Sequence, residues 1–201
     1  ASPEEVAAIA ERLRAAQPAW VALGAEGRAR VLEDWANAIE AVEDGLVDAL
    51  AADTGRFTLS QREVRGAIAN LRRWASQGPA LLRTEEKNSE LLPSISYRNQ
   101  YVAYELAGFI SPWNFPLTLS LIDAVPALLA GSAVLIKPSE VTPRFVDPLL
   151  EALRAVPALS EVVAFAPGDG TTGAAVVDAV DLICFTGRVE TGRRVAEAAA
   201  A

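Results

Sequence analysis

The chain has no histidine, no methionine and a single cysteine, Cys184, among its 201 residues. Without an imidazole there is no histidine general base and no serine-histidine triad, and most zinc sites are excluded as well. One cysteine cannot form an internal disulfide, and no basic and apolar leader opens the sequence, so a cytoplasmic setting is expected. The missing methionine, with Ala1 in first place, suggests a trimmed chain. Positive charge is scarce too: 18 Lys and Arg against 26 Asp and Glu give a formal charge of −8. A nucleic-acid backbone would be repelled by such a surface, so no nucleic-acid partner is expected. Membrane-length apolar runs are also missing. The richest stretch, Leu117 to Ile136, is interrupted by Asp123, Pro126 and Gly131 and reads as a helix, a turn and a strand of a buried core.

What is present is a large apolar fraction, 51% of residues, enough to bury a sizeable core. The chain opens with Ser2-Pro3-Glu4-Glu5, a capping serine, a first-turn proline and a capping-box glutamate ahead of Val6, Ile9 and Leu13 on one helical face. Val31, Leu32, Trp35, Ile39, Val42, Leu46, Val47 and Leu50 then recur at helical spacing and predict one long amphipathic helix stopped by Gly55. A third helix carries Val64, Ile68, Leu71 and Trp74, with Gly78-Pro79 as its closing signal. Between Thr84 and Leu106 the pattern turns to extended strands around Ile95, Tyr97, Tyr101, Val102 and Tyr104. This segment reads as a hairpin that pairs with another subunit or, equally well from these residues, as a plain connector.

From Ala107 onward one unit, an apolar strand, a short loop and a helix, repeats three and a half times. The strands are Phe109-Ile110, Ala133 to Ile136, Val162 to Ala166 and Leu182 to Phe185. Alternation of this kind predicts an α/β fold with a doubly wound parallel sheet, whose ligands bind at the carboxyl ends of the strands. The polar loops lie there.

Four of those loops carry chemistry. Gly168 to Gly173, with Gly170 at its centre, fits G-x-G-x-x-G between a strand and a helix. The fingerprint's acid belongs at the end of the second strand, whereas Glu190 here lies beyond a further strand, so a tight turn that needs glycine is the better reading. In Pro112-Trp113-Asn114-Phe115-Pro116 two prolines stiffen a corner with an asparagine at its apex. That amide could serve an oxyanion or cap the next helix. Lys137-Pro138-Ser139-Glu140 offers an ammonium and a carboxylate within one turn, which suits a ribose diol. Phe185-Thr186-Gly187-Arg188 ends the last strand, and the following helix aims its N-terminal dipole at the crevice, which suits a pyrophosphate.

Gly108 to Pro116, Ala130-Gly131-Ser132, Lys137 to Glu140, and Phe185-Thr186-Gly187 with Gly192-Arg193 together resemble the aldehyde dehydrogenase superfamily in order and in spacing. The resemblance implies a Rossmann-like NAD(P)-binding fold preceded by helices, with a β-hairpin arm for oligomerisation. It implies an oxyanion role for Asn114, a nicotinamide ribose and phosphate path along Ile110, Ser111, Pro112 and Trp113, and a ribose-binding pair in Lys137 and Glu140. The pyrophosphate would lie near the helix after Phe185-Thr186-Gly187, not on the glycine-rich loop.

Two departures stand out. Arg188 replaces the serine common after Phe-Thr-Gly, and its guanidinium either clamps the phosphates or blocks them. The family's Glu-Leu-Gly-Gly motif and its later cysteine nucleophile do not occur before Ala201, while Cys184 sits inside a strand where a small apolar residue is expected. The expected organisation is therefore N-terminal helices over residues 1–83, a hairpin over 84–106 and Rossmann-like units over 107–201, with the catalytic domain absent. The expected function is the NAD-binding portion of an aldehyde dehydrogenase, inactive as it stands. Its expected cofactor is NAD rather than NADP, its substrate in the complete enzyme a small-molecule aldehyde, and its macromolecular partner a second copy or another subunit. A non-catalytic nucleotide-binding or assembly module and a CoA-acylating aldehyde dehydrogenase are the rival readings.

Overall fold

The computed structural model describes residues 1–200. Helix α1 (Pro3–Ala22) begins as its sequence predicts: the Ser2 hydroxyl accepts from the Glu5 N–H and the Glu5 carboxylate accepts from the Ser2 N–H. The long helix predicted next is in fact two, α2 (Gly24–Ala41) and α3 (Glu43–Thr54), hinged at Val42 with φ −111° and ψ 17°. A one-residue break leaves the spacing of apolar residues unchanged, so periodicity passes straight over it. The readable signal was the acidic pair Glu43-Asp44 in the first turn of α3. Gly55 does end α3, at φ +71° in the left-handed region.

Helix α4 (Phe57–Leu81) runs through Gly78-Pro79 instead of stopping there. A Cβ at Gly78 would lie 1.9 Å from Leu129 Cδ2. The glycine thus serves close helix packing, and that packing holds the last turn despite the proline. In the hairpin, only β1 (Glu86–Asn88) and β2 (Ser96–Arg98) pair, antiparallel. Tyr101, Val102 and Tyr104, expected in strands, are exposed and unpaired into any ladder, because β-propensity needs a neighbouring strand to act on.

The remaining chain is the predicted alternation: β3 (Leu106–Ile110), α5 (Pro116–Leu121), α6 (Ala124–Ala130), β4 (Ala133–Lys137), α7 (Val146–Arg154), α8 (Pro157–Ser160), β5 (Val163–Phe165), α9 (Gly170–Ala179), β6 (Leu182–Phe185) and α10 (Val189–Ala199). The stretch from Leu117 holds two short helices where one was expected, parted at Ile122-Asp123. All four core strands are parallel, in the order β5-β4-β3-β6. The chain moves outward from β3 through β4 to β5, then returns to the far side of β3. With right-handed crossovers this puts helices on both faces of a Rossmann-like α/β sheet. Helices α1 and α9 pack on each other and on β3 and β4, while α6, backed by α2 and α4, packs on the same two strands. No described helix is long and apolar enough to cross a membrane.

The N-terminal helices are tied to the sheet through one helix end. The last carbonyls of α6 lack intrahelical partners and are satisfied from α1 and α2. Trp20 Nε1 donates to Leu128 O at 2.8 Å, Arg28 Nε to Leu129 O at 2.8 Å and Gln17 Nε2 to Gly131 O at 2.9 Å. Arg28 is buried without a carboxylate partner among the described residues, and burial pulls its guanidinium below its ordinary range. Three carbonyls and the negative end of the α6 dipole compensate it. Removing it strands those acceptors, so Arg28→Ala should lower unfolding stability by about 3 kcal/mol. Urea titration checks this; a loss below about 1 kcal/mol would mean that water replaces the guanidinium without penalty.

Candidate functional site

Three strands end at one level. In the parallel register Ile110 is the partner of Lys137 on one side and of Phe185 on the other. The pattern continues one residue further, with Ser111 N donating to Lys137 O at 3.1 Å and Thr186 N donating to Ile110 O at 3.0 Å. The loops leaving these strands therefore border a single crevice of about 1040 Å³ at the point where the chain order reverses about β3. Ile110, Ser111, Pro112, Trp113, Asn114, Lys137, Ser139, Glu140, Gly170, Phe185, Thr186, Gly187 and Arg188 all line it. Every residue singled out from the sequence is thus brought to one place.

The corner after β3 is held from outside. Thr142 Oγ1 donates to Trp113 O at 3.2 Å, Arg56 donates to Asn114 O, and the Glu63 carboxylate accepts from Thr118 N at 2.9 Å. Asn114 does not cap α5; the N-cap is Phe115, without a side-chain bond. The capping alternative for Asn114 falls, and its side chain is left at the crevice. Inside the corner, Ser111 and Ser120 hydroxyls share a buried hydrogen bond of 2.7 Å.

Lys137 is buried at the end of β4, and its Nζ donates to Glu140 Oε2 at 2.9 Å. The Glu140 carboxyl is held below its usual range, first by the backbone N–H beside it and then by the Lys137 ammonium. More than half of the Glu140 side chain remains exposed toward the crevice. The pair thus offers an ionised acceptor and a fixed cation side by side.

Two helix N-termini face the crevice, and they differ. At α9 the Asp169 carboxylate accepts from Thr171 N at 2.9 Å and Thr172 N at 3.4 Å. These bonds hold the Asp169 carboxyl below its usual range. The donors that a phosphate would use on a glycine fingerprint are already taken, and a negative charge stands in front of them. At Gly168 a Cβ would lie 2.0 Å from Thr172 Oγ1, so this glycine serves a tight turn. At α10 the N-cap is Arg188, and no side chain caps the first turn. Gly187 matters here because a Cβ would lie 2.5 Å from the Phe185 ring, which is also within 3.2 Å of a Cβ at Gly192. The two glycines let the ring fold beneath the start of α10.

The sequence reading missed the far wall. Gly173, Ala174 and Val177 of α9 and Thr191, Arg194, Val195 and Ala198 of α10 form an apolar slot with a basic rim. The amphipathic pattern of α10 carried that signal, since one face has nothing in this chain to bury it.

The comparisons follow this geometry. The family model described as the aldehyde dehydrogenase family matches residues 1–201. The chain belongs to the aldehyde dehydrogenase family. It is 34% identical over 196 residues to a Mycolicibacterium smegmatis protein named as an NADP(+) succinate-semialdehyde dehydrogenase, covering 96% of this chain and 38% of that one. Among solved structures, the aldehyde dehydrogenase named PutA from Anabaena variabilis superposes with a TM-score of 0.97 at 49% identity, over 100% of this chain and 42% of its own. A benzaldehyde dehydrogenase from Corynebacterium glutamicum, named as NAD-dependent, gives 0.88 at 34% identity, over 100% and 44%. The chain therefore spans about two fifths of the length of these aldehyde dehydrogenases.

The sole thiol lies outside the crevice lining. Cys184 is half-buried against the core, and burial, aided by Asp123, pushes its thiol up from the ordinary range. A thiol so placed is a poor nucleophile. Iodoacetamide should alkylate it more slowly than a free cysteine at pH 8, with the rate rising only above the pH at which a free thiol ionises. A fast reaction at pH 7 would show an activated thiol instead.

Proposed function

We propose that this chain is the dinucleotide-binding portion of an NAD-dependent aldehyde dehydrogenase, organised as helices over residues 1–83, a hairpin over 84–106 and Rossmann-like units over 107–201. The observation that carries the reading is the convergence of the Pro112–Pro116 corner, the Lys137–Glu140 pair and the open N-terminus of α10 on one crevice.

The donor set fits the cofactor part by part. Glu140 accepts from a ribose diol while Lys137 donates to it. The free N–H groups of α10, with the Arg188 guanidinium beside them, neutralise a diphosphate. The apolar slot between α9 and α10 takes a purine ring. Bound there, the dinucleotide supplies a hydride acceptor. Asn114, at the rigid corner, donates its amide N–H to an aldehyde oxygen as negative charge develops on it. The buried corner around Ser111 and Ser120 keeps water from the main chain behind that amide. The thiol nucleophile and the general base of the complete reaction are not among the groups of this crevice, so the 201-residue chain should bind nucleotide without oxidising aldehydes. Assembly through the exposed hairpin, with Leu91, Ile95 and Tyr97 presented to a second copy, belongs to the same reading.

Cofactor choice rests on Glu140. Its ionised carboxylate stands where a 2′-phosphate would be attached to the ribose, and like charges at that range repel. NAD should therefore bind about tenfold more tightly than NADP by isothermal titration, and Glu140→Gln should narrow the gap. Tighter binding of NADP would show that Lys137 and Arg188 outweigh Glu140. Binding of neither nucleotide would overturn the proposal in favour of a pure assembly module.

A further inference from the structure

The corner that presents Asn114 has no cap of its own. Helix α5 has six residues, and its N-cap Phe115 makes no side-chain bond to the first turn. Those N–H groups must find acceptors elsewhere, and they find one on α4. Glu63 is 6% exposed, and its Oε1 accepts from Thr118 N at 2.9 Å. Seven residues before it, two helical turns away on the same side of α4, Arg56 donates to Asn114 O. The Arg56 guanidinium also lies over the Phe115 ring, 5.2 Å from its centroid. One helix thus holds the main chain at Asn114, at Phe115 and at Thr118.

Glu63 is the more telling of the two. A carboxylate this deep is costly to bury, and it has no salt-bridge partner among the described residues. Burial pushes its carboxyl up, while the backbone N–H groups of Thr118 and Leu117 and the more distant Arg56 charge pull it back. An apolar residue would fill the same space but leave the Thr118 N–H without an acceptor. The expense is matched by one service, fixing where α5 begins and hence where the preceding corner points.

We propose that Arg56 and Glu63 are positioning residues that lock the orientation of the Asn114 side-chain amide at the crevice mouth. The proposal deepens the dinucleotide and oxyanion reading and rests on it for its purpose. A hydrogen-bond donor aids a developing charge only when it is aligned beforehand, because realignment during reaction forfeits the gain. In an unclamped corner, Asn114 and the neighbouring Trp113 would sample several orientations, and each binding event would bear the cost of ordering them.

The test uses the full 201-residue chain as wild type, Arg56→Ala, Arg56→Lys and Glu63→Gln. Nitrogen-15 relaxation of the Asn114 side-chain amide, without nucleotide, should report a rigid group in wild type and a mobile one in Arg56→Ala. Arg56→Lys, which keeps a donor, and Glu63→Gln, which keeps an acceptor, should restore most of the order. NAD affinity should fall about tenfold in Arg56→Ala, while the melting temperature stays within about 3 °C because only one contact at the edge of the fold is lost. An Asn114 amide as rigid in Arg56→Ala as in wild type would overturn the proposal. So would an amide order that follows the melting temperature in all variants, without rescue by lysine or glutamine. Should wild type bind no NAD, the dinucleotide reading fails by itself, and the apo amide order still decides the clamp.

Discussion

Ile110 sits between Lys137 and Phe185 in register, and the crevice follows from that shared level. Because parallel strands end together, the loops after β3, β4 and β6 leave the sheet side by side. A one-residue slip of β4 would turn Lys137 to the other face and bring the Glu140 loop to a different height. The register is fixed by the apolar residues that alternate between two buried faces, and by the helices that cover them. The chemistry at the sheet edge is therefore a consequence of core packing some distance away.

The N-terminal helices serve the same end. Gln17, Trp20 and Arg28 close the carbonyl end of α6 and thereby set the turn at Gly131, φ +116°, from which β4 departs. From the other side, α4 touches α6 through Gly78 and holds the Asn114 corner through Arg56 and Glu63. At the opposite end of the sheet, Arg14 grips the Asp181 carboxylate with two bonds, and Asp181 in turn accepts from Leu106 N at 2.9 Å. Helices that read as mere packing in the sequence thus anchor the entrances and exits of the central strands.

Much of this was legible beforehand, for a definable reason. Strands buried on both faces are continuous apolar runs, and the turns between them carry residues with one physical use, as at Pro112–Pro116 and Phe185–Gly187. What escaped depended on partners distant in sequence. The hinge at Val42 leaves periodicity intact, Gly78 is explained only by Leu129, and the lack of a third strand beside the hairpin is what leaves Tyr101 and Val102 outside any ladder. The far wall of the crevice was hidden because α10 buries no residue in this chain. The doubt over Gly168 to Gly173 rested on the order of elements, and the structure supplies its cause in the Asp169 cap.

Asp169 and Arg188 divide the crevice electrically, with a capped and negative start to α9 facing an uncapped start to α10 beside a cation. That asymmetry is the central claim about where a diphosphate goes, and backbone hydrogen exchange reads it directly. With NAD added, amides in 110–114, 137–141 and 187–191 should gain protection together, while Thr171 and Thr172, already bonded to Asp169, should not change. Protection confined to 168–173, with none at the start of α10, would place the phosphates on the glycine-rich turn and contradict the account.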